Sequence, residues 1–260
     1  MQATPTGRVL PGRGSLQLEV VPVKNGAIPD IVIRRLPVYV RTLRRLAASG
    51  IASVSSDELA AHLGVTAAQI RRDLSFFGRF GKQGKGYDVA HLIDEITRIL
   101  HLDRTWSVAL VGFGRLGQAI AHYRGFEEDG FHIVAIFDHN PERIGQVING
   151  AVVLPDHQIE PVVRELGVKI GIIAVPAEAA QQVADRLISG GVRAILNYAP
   201  VVLRLPPGIW MREIDPTAAL QSLTYYLDPE AIPERVTSTV PCTRSWPGDR
   251  GTALGNRSSG

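Results

Sequence analysis

The chain has 260 residues, 45% of them hydrophobic and 20% charged, with a formal net charge of +3, which suits one large or two modest globular domains. No apolar run approaches the roughly 20 residues needed to span a bilayer, and a single cysteine, Cys242, excludes an intramolecular disulfide and a Cys-rich zinc site. The charge is uneven: residues 28–105 hold 12 Lys/Arg against 8 Asp/Glu, and residues 106–227 hold 9 against 12, so only the front half is suited to a polyanion.

The first 27 residues are rich in Gly and Pro without periodicity and are expected to be a disordered arm. The opening "MQATPTGRVLPGRGS" lacks the apolar core of a signal peptide, so a cytoplasmic protein is expected, without membrane or metal partners. Residues 28–105 are expected to form a winged helix-turn-helix domain. In "IRRLPVYVRTLRRLAASG" five arginines (34, 35, 41, 44 and 45) occur without an acid, and Pro37 is expected in the first helical turn. Ser55 and Glu58 form a capping box ahead of Leu59, Ala60 and Leu63. Gly64 supplies a turn. Thr66 and Gln69 form a second box opening a helix whose inner face is Ile70, Leu74 and Phe77. That order fits a helix-turn-helix, with Arg71, Arg72 and Ser75 on the free face, where arginines can read guanine edges or phosphates. "GRFGKQGKGYDV" then interleaves Arg79, Lys82 and Lys85 with glycines, as in a basic hairpin wing touching phosphate. Thr66, Gln69, Arg71, Arg72, Ser75, Arg79, Lys82 and Lys85 are therefore the expected DNA-binding residues, and double-stranded DNA the expected partner.

Residues 106–215 alternate strand-like runs ("SVALVG", "HIVAIFD", "VKIGIIAV", "VRAILNYA") with helix-like ones, the grammar of a doubly wound parallel sheet. After "SVALV" come Gly112, Phe113, Gly114, Arg115, Leu116 and Gly117. This is a G-x-G-x-x-G turn between a strand and a helix, the context in which the motif holds a dinucleotide pyrophosphate. Asp138, ending the next strand, lies 21 residues past Gly117 and can accept both ribose hydroxyls of NAD(H). Val175 and Pro176, with Asn197, end later strands where the nicotinamide would lie, and offer an apolar wall and an amide rather than an acid or base. That favours a sensor over a dehydrogenase. The alternative is an NAD-dependent oxidoreductase whose helical N-terminal block only mediates association. Residues 216–227 form a last helix, and residues 228–260 are expected to be a disordered tail.

In order and spacing, "IPDIVIRRLPVYVRTLRRL", "TAAQIRRDLSFFGRFGKQGKGYDV", "LVGFGRLGQAIAHYRGF", "VPAEAAQQVADRL", "GVRAILNYAPVVL" and "IDPTAALQSLTYYL" resemble the Rex family of redox-sensing transcriptional repressors, across residues 28–227. The resemblance implies a homodimer on palindromic operators that leaves DNA when NADH replaces NAD. It also implies that the helix Thr217 to Leu227 is exchanged between subunits. It assigns switch roles to Arg35, Tyr123 and Asp215, with Asp215 changing partner between Tyr123 and Arg35. Pro216 departs from the apolar or aromatic residue that the resemblance leads one to expect.

Overall fold

The computed structural model describes residues 28–82 and 86–227. The expected N-terminal arm and C-terminal tail lie outside the described residues. The chain divides into two compact units between His101 and Leu102.

In the first unit, α1 (Asp30–Ala48) carries a buried stripe of Val32, Leu36, Tyr39, Val40, Leu43 and Leu46, the spacing of one helical face. Pro37 lies inside this helix, not in its first turn. Proline deprives the Ile33 carbonyl of its i+4 donor, but Pro37 itself is exposed while Leu36, Tyr39 and Val40 around it are buried. Packing therefore carries the helix through the break. A short strand, β1 (Ser53–Val54), precedes α2 (Ser56–Leu63), whose capping box is complete: the Glu58 amide donates to Ser55 Oγ (3.1 Å) and the Ser55 amide to Glu58 (2.7 Å). Gly64 closes α2 at φ +66°, the left-handed geometry that glycine adopts without penalty. In α3 (Ala67–Ser75) the Gln69 amide donates to Thr66 Oγ1, but the Gln69 side chain turns inward to Asp73 instead of back to Thr66. The second box is thus half formed. Ile70 and Leu74 are buried, Phe77 partly so.

The wing is a three-stranded antiparallel sheet in the order β1-β3-β2, with β2 (Gly81–Lys82) and β3 (Gly86–Asp88). At Gly86 φ is +73° and an added Cβ would lie 2.6 Å from the Val54 carbonyl oxygen, so only glycine fits where β3 crosses β1. Helix α4 (Val89–Ile99) packs Val89, Leu92 and Ile96 into the same core.

The second unit is a seven-stranded sheet in the order β10-β9-β8-β4-β5-β7-β6. Its strands are β4 (Trp106–Val111), β5 (Phe131–Asp138), β6 (Val147–Ile148), β7 (Ala151–Pro155), β8 (Ile170–Ile173), β9 (Ala194–Asn197) and β10 (Trp210–Glu213). All pairings are parallel except the β6–β7 hairpin. The helices are α5 (Arg115–Ala121), α6 (Gly125–Glu128), α7 (Ile159–Glu165), α8 (Ala177–Gly190) and α9 (Pro216–Thr224). Along β4, Val108 and Leu110 join Ile120 of α5 in one core, while Ala109 and Val111 join Val163 of α7 and Leu187 of α8 in another. Burial of both faces explains why the strand is continuously apolar rather than alternating. Strand order runs outward from β4 toward β5 on one side and β8 on the other, so the topological switch point lies at the C-terminal ends of β4 and β8. Ligands of such sheets bind in the crevice there.

Candidate nucleotide cleft and DNA-binding face

The Gly-rich turn leaves β4 at that switch point. Gly112 (φ +96°) lies against the Ala174 carbonyl, and Gly117 in α5 lies against the Gly112 carbonyl; in both, a Cβ would strike backbone. Gly114 differs. Its nearest neighbour for an added Cβ is an Arg143 guanidinium nitrogen at 3.9 Å, and its φ of −72° suits any residue. Its smallness answers no packing demand within the protein, as a position reserved for close approach of a ligand would. Phe113 contributes its backbone: the ring is buried, while its N–H donates to Asp138 Oδ2 at 2.6 Å. Arg115 and Leu116 are exposed at the start of α5.

Asp138 ends β5 with only 3% of its surface exposed. Burial alone would raise its carboxyl pKa, but hydrogen bonds from the Asn140 and Phe113 amides and from Arg143 (3.0 Å) outweigh it and hold the group below the usual carboxylate range. Beside it opens a cleft of about 410 Å³, lined by Gly112, Asp138, His139, Val175, Pro176 and Glu178 among others. A mostly apolar slot with a few polar groups is the usual form of a cofactor site. Asn197 does not join the cleft as a free amide. It is buried, donates to the Ala199 and Val201 carbonyls (both 3.1 Å) and accepts from the Ala199 amide. The side chain clamps the turn after β9.

On the first unit, Arg71, Arg72, Ser75 and Arg79 are all exposed. Arg71 is tied across to Ser56 Oγ at the start of α2, Ser75 Oγ donates to the Arg72 carbonyl, and Thr66 is spent as the cap of α3. A groove of about 750 Å³ lies between α3 and the wing, bordered by Ser56, Arg71, Ser75, Arg79 and Gly81. The Lys82 side chain and all of Lys85 fall outside the described residues.

Arg35 is not a free cation. Its Nε and Nη2 donate to the two oxygens of Asp73, at 2.6 and 2.7 Å, and Tyr39 OH donates to the same carboxylate at 2.7 Å. Arg35, the expected exchange partner for Asp215, is thus held bidentately inside its own unit. Asp73 is fully buried. Burial would raise its pKa, but hydrogen bonds from Arg35, Tyr39 and Gln69 bring it below the ordinary value; burial and the same carboxylate push the Tyr39 phenol upward. Sequence reasoning passed over Asp73. The available signal was its position three residues after Ile70 on the inner face of α3, where a carboxylate demands a cation. Tyr123, after α5, is 61% exposed and packs edge-on against Phe126 with ring centroids 5.1 Å apart. Asp215 caps α9, accepting from the Thr217 and Ala218 amides at 2.8 and 3.2 Å, and Pro216 occupies the first helical position, where its missing N–H costs nothing.

A winged helix-turn-helix and a doubly wound unit with a Gly-rich turn and an acid-tipped second strand, in one chain, define a nucleotide-responsive DNA-binding regulator. Residues 27–75 match the family model "Putative DNA-binding protein N-terminus" and residues 103–201 the model "CoA binding domain". The redox-sensing transcriptional repressor Rex of Chloroflexus aggregans is 58% identical over 199 residues, covering 76% of this chain and 94% of the relative. The Roseiflexus sp. repressor of the same name is 56% identical, covering 76% and 90%. Among solved structures, the repressor RSP in complex with β-NAD+ and operator DNA superposes with a TM-score of 0.75 at 40% identity, covering 79% of this chain and 94% of that one. The chain belongs to the Rex family of redox-sensing transcriptional repressors.

Proposed function

We propose that the protein is a homodimeric repressor that binds palindromic operator DNA through α3 and the wing, and leaves it when NADH replaces NAD. The observation that carries this reading is the pairing, in one chain, of an arginine-bearing recognition face with an open cleft lined by Gly112 of the Gly-rich turn and by Asp138. In the cleft the turn amides and the start of α5 would face the pyrophosphate, and Asp138 the adenosine ribose. NAD(H) supplies the signal, its redox state, and Val175 and Pro176 would line its path toward the nicotinamide end. RSP, the similar repressor, was solved with β-NAD+ and operator DNA and separately with β-NADH.

The dimer reading rests on α9 and the 3-10 turn after it. Leu220, Leu223, Tyr226 and Leu227 are between 55% and 78% exposed, an apolar face that an exchanged helix would bury against a second copy. Asp215, at the start of that helix, and Tyr123 are the proposed switch residues. With Arg35 held by Asp73, α1 still offers exposed cations to Asp215 in the DNA-competent dimer, Arg34, Arg41 and Arg45 among them. The test is a mobility-shift titration on a palindromic duplex. NADH should release the duplex, NAD should not, and neither nucleotide should be consumed. Binding that ignores both nucleotides would sink the reading.

A further inference from the structure

Gln69 stands at the outer end of a hydrogen-bonded relay that starts in the core. Its Nε2 donates to Asp73 Oδ1 at 2.7 Å, one turn further along α3. That oxygen also accepts Arg35 Nη2 at 2.7 Å, and Oδ2 accepts Arg35 Nε at 2.6 Å and Tyr39 OH at 2.7 Å. Asp73 is fully buried and Gln69 half-buried, so the relay runs from interior to surface.

An ionised carboxylate only accepts hydrogen bonds, so Asp73 can meet the NH₂ end of the Gln69 amide and not its oxygen. The orientation of that amide, usually ambiguous, is fixed here by chemistry. One N–H is taken. What remains for a DNA edge is Oε1, which has no partner among the described residues, and the second N–H. An amide oxygen with an adjacent N–H is the pair that reads adenine, accepting from N6 and donating to N7. Gln69 is the third residue of α3, in its first turn, the end from which a recognition helix contacts bases.

We infer that Asp73 is a positioning residue for base readout: held by Arg35 and Tyr39, it fixes the Gln69 amide so that Gln69 reads adenine at one position of each operator half-site. The inference rests on the DNA-binding reading above and goes further, to which base is read and what sets it.

The experiment selects operators for the full-length protein from random duplexes, then measures affinity for every single-base variant of the half-site. The wild type should prefer A·T at one position by roughly ten-fold or more. Gln69→Ala should flatten that position alone. Asp73→Asn, which brings a donor into the carboxylate's place and so releases the amide to flip, should flatten the same position while other preferences and NADH binding persist. The double variant should flatten it no further. A uniform loss across all sequences in Asp73→Asn, an unchanged profile in Gln69→Ala, or a Gln69-dependent position that prefers another base would each overturn the inference. If Asp73→Asn proves unfolded by circular dichroism, Tyr39→Phe decides: it removes one donor to Asp73, and partial flattening at that position is expected, whereas an unaltered profile counts against the relay. Failure of the wild type to bind any duplex would instead sink the DNA-binding reading itself.

Discussion

Two buried aspartates, Asp73 and Asp138, hold much of what is specific to this chain, and both are ionised because protein donors replace the water they lost. Removing a donor therefore costs more than the bond. Arg35→Ala leaves Asp73 buried without its cation and should destabilise the protein by about 3–5 kcal/mol, measured by denaturant unfolding; a change below about 1 kcal/mol would show that the pair is not buried in solution. Both carboxyls titrate lower when folded than when unfolded. Their stabilisation is thus complete above the unfolded value, about 3.9, and disappears as pH falls through the folded values. Thermal stability should be insensitive to these groups near neutrality and drop below about pH 4, with a shallower acid limb in Asp73→Asn. In the proposed site Asp138 would also select the nucleotide. An acid at the end of the second strand repels a 2′-phosphate, and an arginine nearby can accommodate one; here Arg143 sits 3.0 Å from that acid. Asp138→Ala should weaken NADH binding by a few kcal/mol at most and relax discrimination against NADPH. Arg143→Ala should sharpen discrimination. Equal NADH/NADPH ratios in all three proteins would remove Asp138 from the ribose site.

At the scale of elements, the Gly-rich turn places two glycines hard against backbone and leaves a third, Gly114, without a close neighbour. Gly117→Ala places a Cβ against the Gly112 carbonyl and should damage folding and NADH binding together. Gly114→Ala meets only an ordinary contact with the Arg143 guanidinium, so stability should change by no more than about 1 kcal/mol while NADH affinity falls ten-fold or more. Unchanged affinity in a folded Gly114→Ala would argue that nothing approaches the turn. Elements announced by local chemistry were legible in the sequence: the Ser55–Glu58 box, the left-handed Gly64, the apolar β4 and the strand-ending Asp138. What was illegible depends on distant partners. Strands β1, β7 and β10 are short or irregular in pattern and become strands by pairing with β3, β5 and β9. Pro37 suggests a helix start until the buried stripe on either side of it is known to pack. Gln69 fits a capping box by spacing, but a buried carboxylate four residues on competes for its amide and wins. The turn that Asn197 clamps after β9 likewise depends on partners that local pattern does not announce.

For the whole molecule, repression controlled by NADH requires two dimer arrangements that differ in affinity for the nucleotide, because a ligand that binds both equally shifts neither. In the proposed dimer the exposed apolar face of α9 would make the connection, and Asp215, at the root of that helix, would report its movement. In the proposed switch Tyr123 takes the Asp215 carboxylate when NADH is bound, and a cation of α1 takes it when DNA is bound. Tyr123→Phe removes only the hydroxyl and should leave operator binding intact without nucleotide but blunt release by NADH. Arg41→Ala, or the same change at Arg34 or Arg45, should weaken operator binding even with NAD present. Arg35→Ala should instead act through stability, because its guanidinium is committed to Asp73. Linkage adds a constraint that needs no residue assignment: operator must lower NADH affinity by the same factor by which NADH lowers operator affinity. NADH fluorescence titrations with and without saturating operator measure one factor, and operator titrations with and without NADH the other. Both should exceed five-fold, on the scale of allosteric couplings of about 1–3 kcal/mol, and they should agree. NADH affinities that are equal with and without operator would leave a DNA-binding protein that carries a nucleotide without responding to it.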